Sequence, residues 1–230
     1  MKQPNIVIGI EGLVGAGKTS ICRELLNKIP NSILLNGSNL YRGIVYTMIK
    51  EYKSIFKILF NIKKINIKEL MDKYNIELRL EGRETNIYAD RVQIQEEELQ
   101  SNKNSLAVSL IAVFANHKDL FDFAKDLIIK YKQDYNIILS GRAIKKIYPE
   151  IDYHFFITAD EKERINRKCI QYEQKSKAKI KRSIKIRDYL QKRIGLYNIA
   201  EDTISVDVTD CKNVQESTEK VLNYIELKSI

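Results

Sequence analysis

Cysteine and histidine are both scarce, with three and two copies in 230 residues. Cys22, Cys169 and Cys211 are odd in number and have no CxxC spacing, so neither a disulfide framework nor a zinc site is expected. A reducing compartment follows from that. His117 and His154 stand far apart without ligand spacing, which argues against a metal site built on histidine. Long apolar runs are missing as well. The stretch around Ile55 to Ile62 is broken by Lys57 and closed by Lys63 and Lys64, and MKQPNIVIGIEG at the start has no signal-like apolar core. The expectation is a cytoplasmic protein with no membrane partner. Solenoid-length repeats and low-complexity tracts are also absent.

What is present suits a folded enzyme. Hydrophobic residues make up 44% and charged residues 30% of the chain, and 230 residues are enough for one sizeable core, or a core with a small inserted lobe. The formal charge of +9, from 39 Lys and Arg against 30 Asp and Glu, favours anionic partners. Lysine is spread along the whole chain, however, so much of that charge belongs to a solvated surface. The 13 tyrosines are equally dispersed, which argues against a nucleic-acid partner.

Asn5 to Ile10 (NIVIGI) reads as a strand buried on both faces. A glycine-rich turn follows, and then a helix marked by Ile21, Leu25, Leu26 and Ile29 that stops at Pro30. Ser32 to Leu35, Asn136 to Leu139, Tyr153 to Thr158 and Ile204 to Val208 are further strand candidates, and one helix is expected from about Leu40 toward Phe60. Strands alternating with helices imply an α/β fold, with helices layered on a parallel sheet. The alternating stretch Asn75 to Val92, turning at Glu81-Gly82, reads as a hairpin in an inserted lobe, and the basic segment Ser176 to Ser183 as part of a mobile lid.

The turn after the first strand, GLVGAGKT, matches G-x-x-x-x-G-K-[ST] in full. Glycines let backbone N–H groups face phosphate oxygens, and the following helix offers its positive end. Gly12, Leu13, Val14, Gly15, Ala16, Gly17, Lys18, Thr19 and Ser20 are therefore the expected ATP site, with Lys18 at the β and γ phosphates. A hydroxyl of Thr19 or Ser20 is the expected contact for Mg2+. Transfer of a phosphoryl group spreads charge that several cations must meet; Arg42, Arg142, Arg164, Arg167 and Arg187 are the candidates.

The order GLVGAGKTS, SNLYRG, NIILSGR and YPEIDYHFFITADEKERINRK resembles the bacterial cytidylate kinase family along nearly the whole chain. That family carries G-P-S-G-A-G-K-G-T, D-S-G-A-x-Y-R, a strand ending D-G-R-D, and F-P-D-A-x-x-K-I-F-L-x-A-S followed by E-x-R-x-x-R. The resemblance implies a nucleoside monophosphate kinase that passes the γ-phosphoryl group of ATP to CMP or dCMP. It implies a core of about 1–40, 120–160 and 198–230, a monophosphate-binding lobe of about 62–105 and a helical lid of about 164–193. A monomer is expected.

By the same resemblance, Tyr41, Arg42, Ser109, Gly141, Arg142 and Arg187 face the acceptor, and Arg164 and Arg167 serve the donor side. Asn36 stands where the family has Asp, Gln100 and Lys118 where it has Arg, and Ser140 and Ala143 where it has two Asp; Gln191 and Ile194 replace a further Asp and Arg. Gln cannot reproduce the two-pronged contact of Arg, and each lost carboxylate removes a hydrogen bond worth about 1.5–3 kcal/mol. Two other readings stay open at this level: a kinase of the same fold with another acceptor, and a nucleotide-binding regulator that transfers nothing. Glu11, where the family has Asp, either orients magnesium-bound water or is a helix-cap or salt-bridge residue.

Overall fold

The computed structural model describes residues 5–112, 118–172 and 176–225. The strands are β1 (Val7–Gly12), β2 (Ser32–Asn36), β3 (Glu77–Glu81), β4 (Glu84–Ala89), β5 (Val92–Gln93), β6 (Asn136–Ser140), β7 (Tyr153–Thr158) and β8 (Ile204–Asp207). The helices up to the lobe are α1 (Lys18–Lys28), α2 (Gly37–Tyr52), α3 (Ile55–Asn61), α4 (Ile67–Lys73), α5 (Glu96–Gln100) and α6 (Asn102–Ile111). They continue as α7 (Lys118–Lys132), α8 (Ile144–Ile147), α9 (Glu161–Gln171), α10 (Lys177–Arg193) and α11 (Val214–Leu222).

The sheet runs β3-β4-β2-β6-β1-β7-β8, and every pairing from β4 through β8 along that order is parallel. β1 lies inside it, between β6 and β7, and is buried along its whole length. Alternation at period two sorts the strand residues between two cores. Ile8, Ile10, Leu34, Ile138, Phe155 and Ile157 pack with Ile21, Leu25 and Val221 from α1 and α11. Val7, Ile33, Leu35, Ile137 and Leu139 pack on the other face with Ile128 of α7 and Ile144 of α8. Helices thus cover both faces, as a parallel sheet of nearly all-apolar strands requires.

The hairpin expected around Gly82 is β3 and β4, and it extends the central sheet, because β4 pairs with β2 at Leu34 and Glu84. A third core joins this lobe to α2 through Leu40, Ile44 and Met48 against Ile58, Ile67, Ile87 and Leu99. The single helix expected from Leu40 to Phe60 is two: Lys53 takes a left-handed conformation at φ 60° and ends α2. Ser54 is extended and starts α3 on a new axis. The periodicity alone spans this break because Ile49, Tyr52, Phe56 and Leu59 keep an apolar spacing of three or four residues through it. Ser176 to Ser183, expected within the lid, forms the cap and first turns of α10, anchored by buried Ile180 and Ile184.

Where β1 ends, Gly12 lies at φ 144°, and a Cβ there would stand 2.1 Å from the Ile157 carbonyl oxygen of β7. No neighbouring side chain can yield, since the obstacle is backbone. Gly12→Ala is therefore expected to lower unfolding stability by about 3 kcal/mol, read as a lower urea midpoint. An unchanged midpoint would contradict this packing.

Candidate functional site

The glycines at 15 and 17 both take positive φ, 82° and 97°, and Gly17 is the N-cap of α1 without a side chain to occupy the first N–H groups. The loop from Gly12 to Lys18 therefore wraps an open helix start. It is braced from α9. Arg164 donates to the Val14 carbonyl at 3.0 Å, and Arg167 donates to the Ala16 carbonyl at 3.1 Å and to the Val208 carbonyl at 2.8 Å. The Lys18 ammonium donates to the carbonyls of Gly12 and Leu13 at 3.0 and 2.8 Å, and Arg142 donates to Gly12 as well.

A cavity of about 660 Å³ opens on this loop, and Val14 to Ser20 line it. So do Asn36, Tyr41, Arg42, Ser109, Gly141, Arg142, Arg167 and Arg187, brought in from α2, α6, the end of β6, α9 and α10. Arg42 is held by the Leu99 carbonyl at 2.7 Å and the Ser105 hydroxyl at 2.9 Å. Asn36 accepts from the Asn39 amide at 3.3 Å and so caps α2. Ser109 donates to the Ser105 carbonyl at 3.1 Å. On α10, Arg187 and Gln191 are buried one turn apart, and among the described residues Arg187 Nε and Gln191 Oε1 have no hydrogen-bond partner.

Two residues expected at the site lie elsewhere. Lys118 is exposed at the start of α7, bonded to Asp122 at 2.9 Å, and does not line the cavity. Arg164 is buried outside the cavity lining, with its guanidinium on Val14, Ala159 and, at 2.7 Å, Asp188. Its place is that of a strut between loop, α9 and α10. Glu11 is also buried. It accepts from the Ile144 amide at 2.5 Å and faces His154 Nε2 at 3.3 Å, so its geometry is that of a cap on α8.

The electrostatics of the cavity are one-sided. Among the described residues, no carboxylate lies within 4 Å of Lys18, Arg42, Arg142, Lys168 or Arg187, whereas Arg167 pairs with Glu163 at 2.9 Å. Lost hydration, then the charges of Arg142, Arg187 and Lys168, hold the Lys18 ammonium well below its ordinary pKa. Burial followed by Arg187 and Arg42 pushes Lys168 down to about 7. Burial and Arg187 likewise lower Arg42, and burial and Arg142 lower Arg187. Among the described residues, these cations have no protein anion beside them.

The sign for Lys168 follows. Between about pH 7 and its ordinary 10.5, the unfolded chain carries a proton that the folded chain lacks, so stability of the nucleotide-free protein rises with pH across that window. A bound phosphate reverses the penalty. ATP binding near pH 8 is expected to take up protons, approaching one from Lys168, seen as a dependence of the calorimetric enthalpy on the buffer's ionisation enthalpy. The uptake shrinks in Lys168→Met; identical enthalpies in all buffers would refute it.

Lys168, Asp188 and Tyr197 belong to the site although no motif in the sequence marks them. Lys168 follows Arg167 directly on the face of α9 that meets the loop, a signal that was present in EKERINRK. Tyr197 had none: it lies beyond α10, where its hydroxyl donates to Asp188 at 2.6 Å and its ring sits 5.9 Å from the Arg142 guanidinium.

The sequence profile of the cytidylate kinase family matches residues 8–227. The chain is 27% identical to a cytidylate kinase from Clostridioides difficile, over 97% of its own length and 99% of the relative. It is 25% identical to one from Clostridium botulinum, covering 96% and 98% of the two chains, and 23% identical to one from Halalkalibacterium halodurans, covering 98% and 99%. Among solved structures, an uncharacterized protein from Eubacterium ventriosum aligns at TM-score 0.49 and 14% identity, over 96% of this chain and 98% of that one. The chain belongs to the cytidylate kinase family and is a phosphotransferase, a nucleoside monophosphate kinase acting on CMP or dCMP.

Proposed function

We propose that ATP lies with its phosphates along Gly12 to Ser20, and that the acceptor phosphate sits between Arg42, Arg142 and Arg187. The observation that carries this is the set of five cavity cations without a counter-ion among the described residues. Two nucleotides bring several negative charges, and these side chains converge on the place where the γ-phosphoryl group must pass. An oxygen of the monophosphate attacks the γ-phosphorus as the bond to the β–γ bridging oxygen breaks, leaving ADP. Above about pH 6 a phosphate monoester is largely dianionic, so the attacking oxygen needs no general base. Ser140 and Ala143, in place of two acids, leave that step intact.

Among the described residues, no three His, Cys, Asp or Glu side chains cluster to hold a metal. Thr19 and Ser20 line the cavity in the first turn of α1. A hydroxyl there suits Mg2+, an ion that keeps several waters and takes its other ligands from nucleotide phosphates. When bound, it would neutralise charge on the β and γ phosphates. Arg164 acts here through position, holding Val14 and α10 in register, while Arg167 fixes the loop beside the donor. Gln191, with its buried free carbonyl oxygen, accepts from a donor on the acceptor's sugar or base. A cytoplasmic setting belongs to the same reading; among the described residues, no helix is long and apolar enough to cross a membrane.

The test is ADP release with a panel of monophosphates. CMP and dCMP are expected to turn over faster than UMP, AMP and GMP. Failure of both cytidine nucleotides while another acceptor works would overturn the acceptor assignment, and absence of any product would favour a regulator.

A further inference from the structure

We propose that the outer face of α3 and the turn after it docks on an anionic lipid surface. Phe56 and Phe60 are 84% and 88% exposed, more than any other large apolar side chain of the described residues. They are four residues apart and share one side of the helix. Ile58 and Ile62 are buried on the other side, within the core of the lobe. The helical course continues past Asn61, whose carbonyl accepts from the amides of Lys64 at 2.8 Å and Ile65 at 3.1 Å. At about 100° per residue, Lys63 then flanks the phenylalanine pair on one side and Lys57 and Lys64 on the other. An aromatic stripe is thus framed by ammonium groups.

The charge around it is of one sign. From Lys50 to Lys68 the chain carries six lysines, and its only acid is Glu51. Glu51 already accepts from Lys73 and Tyr74, both at 2.8 Å. All six lysines are exposed, and among the described residues none has a carboxylate within 4 Å. Apolar side chains that enter the headgroup boundary, ringed by lysines that meet lipid phosphates and carboxylates, are what a surface-bound segment needs. A second copy fits worse, since a two-fold contact would set these lysines against themselves. A protein partner also fits worse, because lysine is depleted from such interfaces. The expectation of no membrane partner came from the lack of a spanning segment, and contact with a surface needs none.

Vesicle flotation of the full chain tests this, at about 0.05 and 0.15 M salt, with phosphatidylcholine alone or with about 30% phosphatidylserine. Binding is expected only with the anionic lipid, and weaker at the higher salt. Phe56→Ser with Phe60→Ser should weaken it about tenfold or more. Lys57→Gln, Lys63→Gln and Lys64→Gln together should weaken it roughly a hundredfold, at about fivefold per lysine. Kinase activity without vesicles should be unchanged in both variants, since none of these residues lines the nucleotide cavity. No binding, equal binding to both lipids, or binding that neither variant weakens would overturn the proposal. So would tighter capture of polyuridylate that the phenylalanine variant abolishes, or a dimer in sedimentation that it dissociates.

Discussion

Lys18→Met is expected to lower kcat/KM at least about a thousandfold while leaving the nucleotide-free protein no less stable. The rate follows from the proposed placement of ATP, in which the Lys18 ammonium is the loop's own point charge at the donor phosphates; preorganised charge at a transferring phosphoryl group accounts for factors of about 10²–10⁵. Stability moves the other way because Lys18 shares the cavity with Arg142, Arg187 and Lys168, each of which disfavours its charge. Methionine keeps most of the volume and removes that repulsion, at the cost of hydrogen bonds to the Gly12 and Leu13 carbonyls. Thermal unfolding with and without ATP checks both halves: the variant should melt at or above the wild-type temperature without nucleotide, and ATP should raise it little. A variant that melts early and regains activity on stabilisation would mean that Lys18 acts as a structural residue.

The parts of this enzyme that sequence made legible are those fixed by local rules. A β-branched run, a complete phosphate-loop motif and an amphipathic helix follow one another within Asn5 to Ile29, and each has a short-range cause in backbone freedom or side-chain period. The break at Lys53 was hidden because a left-handed lysine leaves no compositional mark and the apolar spacing runs on through it. The site divided along the same line. Loop residues were found from spacing, but Arg164 could be separated from Arg167 only by three-dimensional contacts: on the same helix, three residues apart, one turns under the loop to Asp188 and the other reaches the cavity wall. Lys118 shows the same limit. Its position in the family pattern pointed to the acceptor, yet it lies exposed at the first turn of α7 beside Asp122.

Arg187 should be the most damaging arginine to lose, and replacing it with lysine should not rescue it. It is buried on α10, lines the cavity, and its Nε has no hydrogen-bond partner among the described residues. After burial, Arg142 and Arg187 both lower Lys18 and Arg42, and Arg142 lowers Arg187, so both stand where charge of the opposite sign is favoured. A guanidinium at that point can span two phosphate oxygens, whereas an ammonium offers one point charge on a flexible stem. Arg187→Lys is accordingly expected to cut kcat by about a hundredfold or more, with a smaller rise in KM for the monophosphate, because the interaction grows as charge spreads over the transferring group. Arg187→Met should lose at least a further factor of about ten. Its nucleotide-free melting temperature should not fall in proportion, since the substitution also removes a repelling charge. Steady-state rates over a range of CMP and ATP concentrations separate the two parameters. Equal loss in KM with kcat intact would assign Arg187 to ground-state binding of the acceptor alone.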